Sequence, residues 1–294
     1  MKLDQNVALS RFTTIGTGGP ARFFARPASM PELQELLGWG RDQDVAVEVI
    51  GLGSNMLVHD DGVDALVLRL EGELAEVQVE GDVLVAGGGA ANAVCLHRAR
   101  DAGLGGFEFA SAIPGTVGGG VRMNAGAYGS EWSTVMIDAL VVDADSARSL
   151  TPGELELSYR HSSLTPGEVI AQVRFRLEPR PVAEIKARVA GLLAQRKATQ
   201  PTTKRTFGSV FKNPSPEQGA GSLIEECGLK GHRIGGALIS SRHANFIENA
   251  EGATSADAIA LMAEARRRVH ARFGLVLEHE VRFLGPLELS PFSA

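Results

Sequence analysis

The sequence predicts an α+β fold of two or three domains, and three observations support this prediction. Short strand patterns recur over residues 46–87, with glycine and aspartate between them. Helical patterns interrupt the strands at irregular intervals, which favours α+β packing over a regular alternation of long parallel strands. The chain has 294 residues, enough for two or three domains of ~100–200 residues each.

The N-terminal half begins with a helix over residues 31–43, because Pro31 suits a first helical turn and the three leucines that follow share one face. A second helix is expected over residues 90–102. The strand patterns are found at 46–50, 65–70, 76–80 and 83–87, and between residues 135 and 177 in MIDALVVDA, LELSYR and EVIAQVRFRLEP.

A change of character near residue 181 marks a domain boundary. Pro181 opens a helix, and apolar residues follow it with a repeat of about 3.6 residues. These residues are Val182, Ile185, Val189, Leu192 and Leu193. The expected division is a region over 1–180, a second domain over 181–285 and a frayed tail over 286–294.

The second domain is expected to mix short elements with one long helix. A short helix is predicted at LIEECG, and strands at GGALIS and ANFIEN. Thr254 followed by Asp257 is a capping-box pattern that opens a long helix, and Gly274 is the residue type that ends one. Residues 275–285 then alternate as a closing strand.

Composition and charge exclude several classes of protein. The net charge of −6 argues against a protein that coats nucleic acid and favours small anions as partners. Cys95 and Cys227 have apolar neighbours, so buried free thiols in a reducing compartment are expected. An apolar leader and an apolar run of ~18 residues are both missing, so a cytoplasmic chain without a membrane segment is expected. The His and Cys residues show no metal-ligand spacing, and no metal site is expected.

Two of the four glycine clusters give little support for nucleotide binding. GTGGPA (16–21) formally fits GxGxxA, but Pro20 cannot open the amphipathic helix that a dinucleotide-binding turn requires. GGG (87–89) follows a strand and precedes a helix, yet the sequence lacks the third glycine of that motif. The GGG cluster is therefore only weak support for NAD binding.

The other two clusters predict a long cofactor. GLGSNMLV (51–58) ends a strand, and its N–H groups with Ser54 and Asn55 can surround a diphosphate; an ordinary strand-to-loop turn is the alternative. AIPGTVGGGVRMNAGAYG (112–129) combines many glycines with apolar residues, which suits a buried loop around a large flat ligand.

Six segments carry a resemblance to a known family, in the same order along the chain. They are GLGSNMLV, AIPGTVGGGVRMNAGAYG, SYRHSS (158–163), GSVFKNP (208–214), LIEECGLKGHRIGGALISSRHANFIEN (223–249) and LEHEVRFLG (277–285). Together they resemble the UDP-N-acetylenolpyruvoylglucosamine reductases, flavin enzymes of peptidoglycan precursor synthesis. The likeness covers residues 6–285. The short interval between Arg160 and Ser209 resembles the family subtype that lacks a tyrosine-bearing insertion.

The resemblance implies a fold, a reaction and partners. The fold would be a two-lobed FAD-binding region of the vanillyl-alcohol-oxidase type followed by a substrate-binding lobe. The reaction would pass a hydride from NADPH, through non-covalently bound FAD, to UDP-N-acetylglucosamine enolpyruvate, and yield UDP-N-acetylmuramate. The partners would be NADPH and the UDP-sugar, with neither nucleic acid nor membrane, and the protein would act as a monomer.

Three residues fit the roles that this reaction requires. Hydride addition to an enolpyruvyl ether places negative charge beside a carboxylate, so a fixed cation, a proton donor and a further polar group are needed. Arg160 fits the cation, Ser209 the proton donor by resemblance, and Glu280 the third group. Arg160 could instead be a surface arginine on a strand, and Ser209 could instead be a turn or cap residue. Periodicity puts Glu278 and Glu280 on the same solvent face, and only the motif match selects Glu280.

The resemblance also assigns cofactor and substrate contacts. The cofactor contacts in the first loop are Gly51, Gly53, Ser54, Asn55, Met56 and Leu57. Those in the second are Ile113, Pro114, Gly115, Thr116, Gly118, Gly119, Asn124, Gly126 and Ala127. The substrate contacts are Tyr128, Arg196, Asn213 and His243, and for His243 a structural histidine is an equal alternative.

Two other functions compete with this interpretation. One is a different FAD-dependent oxidoreductase of the same fold that acts on a sugar or an alcohol, which would not need Arg160, Ser209 and Glu280 as a set. The other is a nucleotide-binding module without turnover.

Departures from the family pattern are small: Ala112 stands where glycine is more frequent, and Gly120 where alanine is frequent.

Overall fold

Residues 2–289 are described by a computed structural model, and they contain six α-helices and nineteen short strands. The helices are α1 (Met30–Asp42), α2 (Asn92–Asp101), α3 (Val117–Arg122), α4 (Val182–Thr199), α5 (Ala220–Glu226) and α6 (Ser255–Phe273). The first ten strands are β1 (Asp4–Ala8), β2 (Pro20–Ala25), β3 (Val47–Val49), β4 (Met56–Val58), β5 (Val63–Leu68), β6 (Val77–Glu80), β7 (Val83–Gly87), β8 (Leu104–Gly105), β9 (Gly126–Ala127) and β10 (Ser130–Glu131). The remaining strands are β11 (Met136–Val142), β12 (Ala147–Leu150), β13 (Val169–Arg176), β14 (Glu178–Pro179), β15 (Thr206–Ser209), β16 (Arg233–Ile234), β17 (Ala237–Ile239), β18 (Phe246–Asn249) and β19 (Arg282–Leu284). The predicted α+β class is confirmed.

The chain divides into two compact units, each made of three segments of the chain. Within the described residues, the first unit comprises 2–5, 23–52 and 64–196, and the second comprises 6–22, 53–63 and 197–289. Two N-terminal segments join the second unit because they bond to its C-terminal residues. The Thr14 hydroxyl donates to the carbonyl oxygen of Thr206 at 2.6 Å, and β4 pairs in parallel with β19.

The first unit is built around a five-stranded antiparallel sheet in the order β12, β11, β13, β7, β6. One face covers a core whose largest members are Phe107, Phe109, Trp132 and Phe175, with the rings of Phe107 and Trp132 stacked 5.0 Å apart. The leucines of α1 are buried in a second core, as the periodicity predicts.

One strand prediction in the first unit is wrong. The segment LELSYR forms turns instead, because Glu156 and Arg160 both adopt left-handed backbone with φ of 48° and 55°. Its main-chain groups are satisfied locally, and Ser158 and His161 exchange hydrogen bonds across a tight turn. Arg160 therefore lies in a turn and not on a strand.

A four-stranded sheet in the order β1, β2, β5, β3 contains two strands that periodicity missed. β2 begins at Pro20, directly after the GTGGPA glycines. The rejection of a dinucleotide-binding turn there agrees with the structure, since a strand and not a helix follows. β3 and β5 pair in parallel.

The second unit contains the antiparallel sheet β15, β18, β17, β16, with α6 packed on it. The prediction of one continuous strand over 275–285 is wrong. Residues 278–280 bond to 210–212, whereas β19 pairs with β4, so the segment changes its partner near residue 281. The segment is therefore divided into a bridge at His279 and the short strand β19.

Helix α6 begins and ends at the predicted residues. The Thr254 hydroxyl accepts from the N–H of Asp257 at 3.0 Å, the Asp257 carboxylate accepts from the N–H of Thr254 at 3.0 Å, and Gly274 ends the helix with φ of 70°. Asp60 adds a second cap, since its carboxylate accepts from the N–H of Ser255 at 2.9 Å.

Replacing the cap is expected to lower the stability of the protein. Thr254→Ala removes an acceptor from the first turn of α6, so the free energy of unfolding should fall by about 1 kcal/mol in chemical denaturation. Thr254→Asn keeps a side-chain oxygen at the same position and serves as the control. Equal loss in both variants would contradict the assignment of the effect to the cap.

The long helix α4 and the C-terminal tail both differ from their predictions. Of the apolar repeat on α4, Ile185 is buried, but Leu193 remains 45% exposed. Within the predicted tail, Leu287 and Leu289 pack against the core of the second unit, so residues 286–289 are not frayed. Residues 290–294 lie outside the described part of the chain.

Two findings apply to the described residues alone. Among helices α1–α6, none is long and apolar enough to cross a membrane. Over residues 2–289, no three His, Cys, Asp or Glu side chains are arranged so that they could hold a metal ion.

Candidate functional site

The loop predicted to bind a diphosphate is held by tight backbone packing. In the second unit, Gly53 has φ of 61°, and a Cβ on it would lie 2.1 Å from the carbonyl oxygen of Phe12. Thr14 donates its N–H to the carbonyl oxygen of Gly53 at 3.1 Å. In the first unit, a Cβ on Gly51 would lie 2.5 Å from Thr116 Oγ1. Only glycine fits at these two positions.

The continuation of this loop is part of the core. Met56 and Leu57 lie in β4, and both side chains are buried. Cofactor contacts from these two residues would therefore come from their main chain. Asn55 has a different partner, since its Nδ2 donates to the carbonyl oxygen of Glu280 at 3.2 Å and its own carbonyl oxygen accepts from the N–H of Arg282 at 3.0 Å.

Ser209 and Glu280 are brought onto neighbouring segments of the second unit. Ser209 ends β15, directly after Gly208, which has φ of 81°. The next residue, Val210, accepts from the N–H of Glu280 through its carbonyl oxygen at 2.8 Å. Val210 and Glu280, which are 70 positions apart in the sequence, thus belong to one hydrogen-bonded pair of segments.

Exposure and side-chain pairing distinguish the two glutamates that periodicity left equivalent. Glu278 is exposed and pairs with Lys212, with 2.6 Å between Oε1 and Nζ. Glu280 is half-buried, and its main chain bonds to Val210, the residue after Ser209, and to the side chain of Asn55. An exposed ion pair on Glu278 is typical of a solvated surface, whereas the surroundings of Glu280 suit a functional group.

A buried amide that sequence analysis missed holds the chain after Ser209. Asn245 is 4% exposed; its Oδ1 accepts from the N–H of Phe211 at 2.9 Å, and its Nδ2 donates to the carbonyl oxygen of Phe211 at 2.8 Å. Its main-chain oxygen also accepts from the N–H of Val210 at 2.9 Å. The only sequence signal was its place in the ANFIEN segment, where it was assigned to a strand.

Asn245→Ala is expected to destabilise the protein, because it leaves both main-chain groups of the buried Phe211 without partners. The cost of such groups is about 1–3 kcal/mol, measured as the free energy of unfolding. Gln218→Ala is the control, because it removes an exposed amide side chain. Asn249→Ala would not serve, because the Asn249 amide donates to the carbonyl oxygen of Ile15. Wild-type stability in Asn245→Ala would contradict this role.

Two predicted substrate contacts in the second unit also have structural partners. Asn213 Oδ1 accepts from the N–H of Ala220 at 3.0 Å, at the start of α5. His243 Nδ1 accepts from the N–H of Asn245 at 3.2 Å, and its ring meets Phe246 edge-on at 5.0 Å. Burial lowers the pKa of His243, so the ring is neutral at pH 7. With Nδ1 as acceptor, the proton of the neutral ring lies on Nε2, which can donate to a ligand.

In the first unit, the glycine-rich segment is not a loop throughout, because residues 117–122 form α3. Three of its glycines are required for packing. A Cβ on Gly118 would lie 3.0 Å from the carbonyl oxygen of Gly88, one on Gly120 would lie 1.6 Å from Trp132 Nε1, and one on Gly126 would lie 2.8 Å from the carbonyl oxygen of Ser130. Close packing also explains a glycine of the GGG cluster at 87–89, since a Cβ on Gly88 would clash with the carbonyl oxygen of Ile170.

The start of this segment retains features that suit a large ligand. Ile113, Gly115 and Gly118 are partly exposed, and Pro114 and Gly119 are exposed. The buried Asn92 bonds to the main chain of this segment. Its N–H donates to the carbonyl oxygen of Gly115 at 3.0 Å, and its Nδ2 donates to the carbonyl oxygen of Ile113 at 3.0 Å. Within residues 2–289, the buried Asn92 Oδ1 and Ser111 Oγ have no hydrogen-bond partner. An accessible glycine-rich edge beside unsatisfied polar atoms is a suitable cradle for a flat polar ring system.

Arg160 is held by the end of the same segment. Its Nη2 donates to the carbonyl oxygen of Gly126 at 2.9 Å, and its guanidinium carbon lies 5.0 Å from the ring centroid of Tyr159. Asn124, predicted as a cofactor contact, is fully buried, and its amide bonds to Ser158 and Ser133. Its side chain is therefore used within the protein.

Tyr128 and Arg196 are close to each other in the first unit. The Tyr128 hydroxyl donates to the carbonyl oxygen of Leu192 at 3.3 Å, one turn before Arg196 on α4. Burial lowers the pKa of Arg196, while the neighbouring Tyr128 raises it. The guanidinium remains a cation at neutral pH, and desolvation strengthens its attraction for an anion.

Comparisons with known proteins agree with this geometry. Residues 200–284 match the family described as UDP-N-acetylenolpyruvoylglucosamine reductase, C-terminal domain, and residues 21–147 match an FAD binding domain. The chain is 43% identical to UDP-N-acetylenolpyruvoylglucosamine reductase 2 of Symbiobacterium thermophilum, over 94% of this chain and 90% of that protein. It is 44% identical to the reductase of Anaeromyxobacter dehalogenans strain 2CP-C, over 96% of this chain and 85% of the relative.

A solved structure agrees as well. UDP-N-acetylenolpyruvylglucosamine reductase from Thermus caldophilus superposes with a TM-score of 0.84 at 37% identity, over 97% of this chain and 99% of that one. The match to an FAD binding domain confirms the predicted flavin-binding fold.

Proposed function

This chain belongs to the UDP-N-acetylenolpyruvoylglucosamine reductase family, and we propose that it reduces UDP-N-acetylglucosamine enolpyruvate to UDP-N-acetylmuramate for peptidoglycan precursor synthesis. The observation that carries the proposal is the pairing of residues 210–212 with residues 278–280, because it brings the segment that follows Ser209 next to the segment that contains Glu280. A different flavin oxidoreductase acting on a sugar or an alcohol has no use for this pair.

The residues of both glycine loops fit FAD. The edge at residues 113–119 and the unsatisfied atoms of Asn92 and Ser111 suit a flat polar ring system, and the loop that includes Gly53 and Ser54 suits a diphosphate. When bound, FAD would accept a hydride from NADPH and deliver it to the enolpyruvyl group. Main-chain groups of these loops would hold the cofactor without a covalent bond.

Arg160 has the chemistry to stabilise the charge that develops during reduction of the substrate. A hydride added to the β-carbon of the enolpyruvyl ether leaves an electron pair on the α-carbon, which spreads into the adjacent carboxylate. A guanidinium can bond both oxygens of that carboxylate and stays charged at every accessible pH. Its contact with the carbonyl oxygen of Gly126 supports a fixed orientation.

Ser209 would then donate its hydroxyl proton to the α-carbon. A hydroxyl is a weak acid, so this step depends on the strong basicity of the carbanion, and the resulting alkoxide recovers a proton from solvent. Glu280, whose N–H donates to the carbonyl oxygen of Val210 directly after Ser209, would maintain the geometry of the serine and the substrate. The product gains one hydride and one proton, as reduction of a carbon–carbon double bond requires.

Four further residues are proposed to hold the UDP-sugar. Arg196 would meet the diphosphate, because its partly desolvated guanidinium attracts an anion. His243 would donate from Nε2, and Tyr128 and Asn213 would contact the remaining polar groups of the nucleotide sugar. We assign FAD binding to residues 1–180 and substrate binding to 181–285, and we propose a monomer that acts in the cytoplasm, where NADPH is available.

Anaerobic stopped-flow spectroscopy of the two half-reactions tests this function. The purified protein should be yellow, NADPH should bleach it, and UDP-N-acetylglucosamine enolpyruvate should restore the colour. Reoxidation by simple sugars or alcohols would favour the other oxidoreductase. A colourless protein that takes up no FAD would leave only a nucleotide-binding module.

A further inference from the structure

A buried amide links two segments of the first unit to which the proposed function gives separate roles. Asn124 lies in the glycine-rich segment and has no exposed surface. Its Nδ2 donates to the carbonyl oxygen of Ser158 at 3.0 Å, and its Oδ1 accepts from the N–H of Ser133 at 3.0 Å. The amide is thus engaged on both sides by protein and cannot contact a ligand.

The Asn124 main chain also reaches Arg160. Arg160 Nη1 donates to the carbonyl oxygen of Asn124 at 3.5 Å, and Nη2 donates to that of Gly126 at 2.9 Å. The ring of Tyr159 lies 5.0 Å from the guanidinium carbon and covers one face. The direction of the guanidinium is therefore set by carbonyl groups of residues 124–126.

The turn that carries Arg160 needs an anchor. Arg160 adopts left-handed backbone with φ of 55°, a conformation that residues with a Cβ avoid unless their surroundings fix it. Ser158 is the residue that closes this turn by exchanging hydrogen bonds with His161 at 3.1 and 3.2 Å. The bond from Asn124 Nδ2 to Ser158 ties the turn to the segment whose carbonyls hold the guanidinium.

We propose that Asn124 is a positioning residue for substrate reduction: it fixes the Arg160 turn against residues 124–126, so that the guanidinium is directed at the substrate carboxylate. The inference rests on the proposed function, since it assumes that Arg160 binds this carboxylate. It replaces the direct FAD contact that the family resemblance implies for Asn124.

Asn124→Gly is the main test, because glycine accepts the positive φ of 37° at this position and removes only the amide. FAD content and reduction by NADPH should be unchanged. The Kd of the substrate for the oxidised protein, measured by calorimetry, should rise, and reoxidation by the substrate should slow by about 10²-fold, the scale for a misplaced reacting group.

Two further variants separate positioning from general loss of structure. Asn124→Asp keeps the acceptor for Ser133 but sets a carboxylate oxygen against the carbonyl of Ser158, so a similar loss is expected. Ser146→Ala is the control: its hydroxyl donates to Asp143 Oδ2 at 2.8 Å between β11 and β12, and this bond does not join the Arg160 turn to residues 124–126. Both half-reactions should be unchanged in this control.

A double mutant tests whether Asn124 acts through Arg160. Adding Asn124→Gly to Arg160→Lys should slow reoxidation by less than about twofold beyond the single Arg160→Lys variant, because the two changes remove one shared function. If the double mutant were slowed by the product of the two single-mutant factors, the inference would be overturned. Loss of FAD from Asn124→Gly, or a wild-type rate of reoxidation in it, would also overturn the inference while the proposed function stands. Failure of the wild-type protein to be reoxidised by the substrate would instead reject the proposed function itself.

Discussion

Ser209→Ala is expected to separate the two half-reactions. Reduction of the flavin by NADPH requires no proton on the substrate carbon, so its rate should equal that of the wild type. Reoxidation by UDP-N-acetylglucosamine enolpyruvate should slow by at least ~10²-fold, the usual scale for a lost proton donor and equal to about 2.7 kcal/mol in barrier height. Anaerobic stopped-flow absorbance of the flavin measures each half separately.

A second serine provides the control for Ser209→Ala. Ser215 lies in the same unit, and its hydroxyl accepts from the N–H of Gln218 at 3.2 Å in a surface turn. Ser215→Ala removes an equivalent hydroxyl without touching the paired segments at 209–211 and 278–280. If Ser209→Ala were reoxidised at the wild-type rate, another group would have to protonate the α-carbon.

Arg160→Lys is the second large effect that we expect. Lysine keeps the positive charge but offers a point charge instead of a planar fork, so it cannot bond both carboxylate oxygens in one fixed geometry. It also loses the donors that Arg160 directs to the carbonyl oxygens of Asn124 and Gly126. Reoxidation by the substrate should slow by roughly 10²-fold, and reduction by NADPH should be unaffected.

A surface arginine gives the matched comparison. Arg176 pairs with Asp82 at 2.9 Å on the exposed sheet surface, where an ion pair contributes little. Arg176→Lys should leave both half-reactions at wild-type rates. Equal slowing of the NADPH step in Arg160→Lys would mean that Arg160 supports the flavin site and not the substrate carboxylate.

Local signals in the sequence predicted the elements that depend on neighbouring residues. The capping pair Thr254 and Asp257, the terminal Gly274 and the strand over 83–87 were all predicted from the residue pattern within one element. The six ordered motifs also identified the family, because each contains its functional residues in a short window.

Patterns failed where a residue's partner lies far away in the chain. LELSYR has strand composition, yet left-handed residues turn it, and one of them is Arg160. Asn245 bonds to Phe211, 34 residues away, and Asn124 bonds to Ser158, also 34 residues away. A buried amide without a nearby partner gives no periodic signal, so both residues were missed as positioning groups.

The sequence alone therefore determined the α+β class, the ends of α6 and the family, since these depend on local periodicity, capping chemistry and short motifs. Only the tertiary structure decided the surroundings of Glu278 and Glu280, which occupy the same face of an alternating pattern. The exposed Glu278 pairs with Lys212, while Glu280 is half-buried and its N–H donates to Val210, the residue after Ser209. The physical reason is that packing and bonding between segments distant in the sequence determine which carboxylate is exposed and which is half-buried, and alternation along one segment does not.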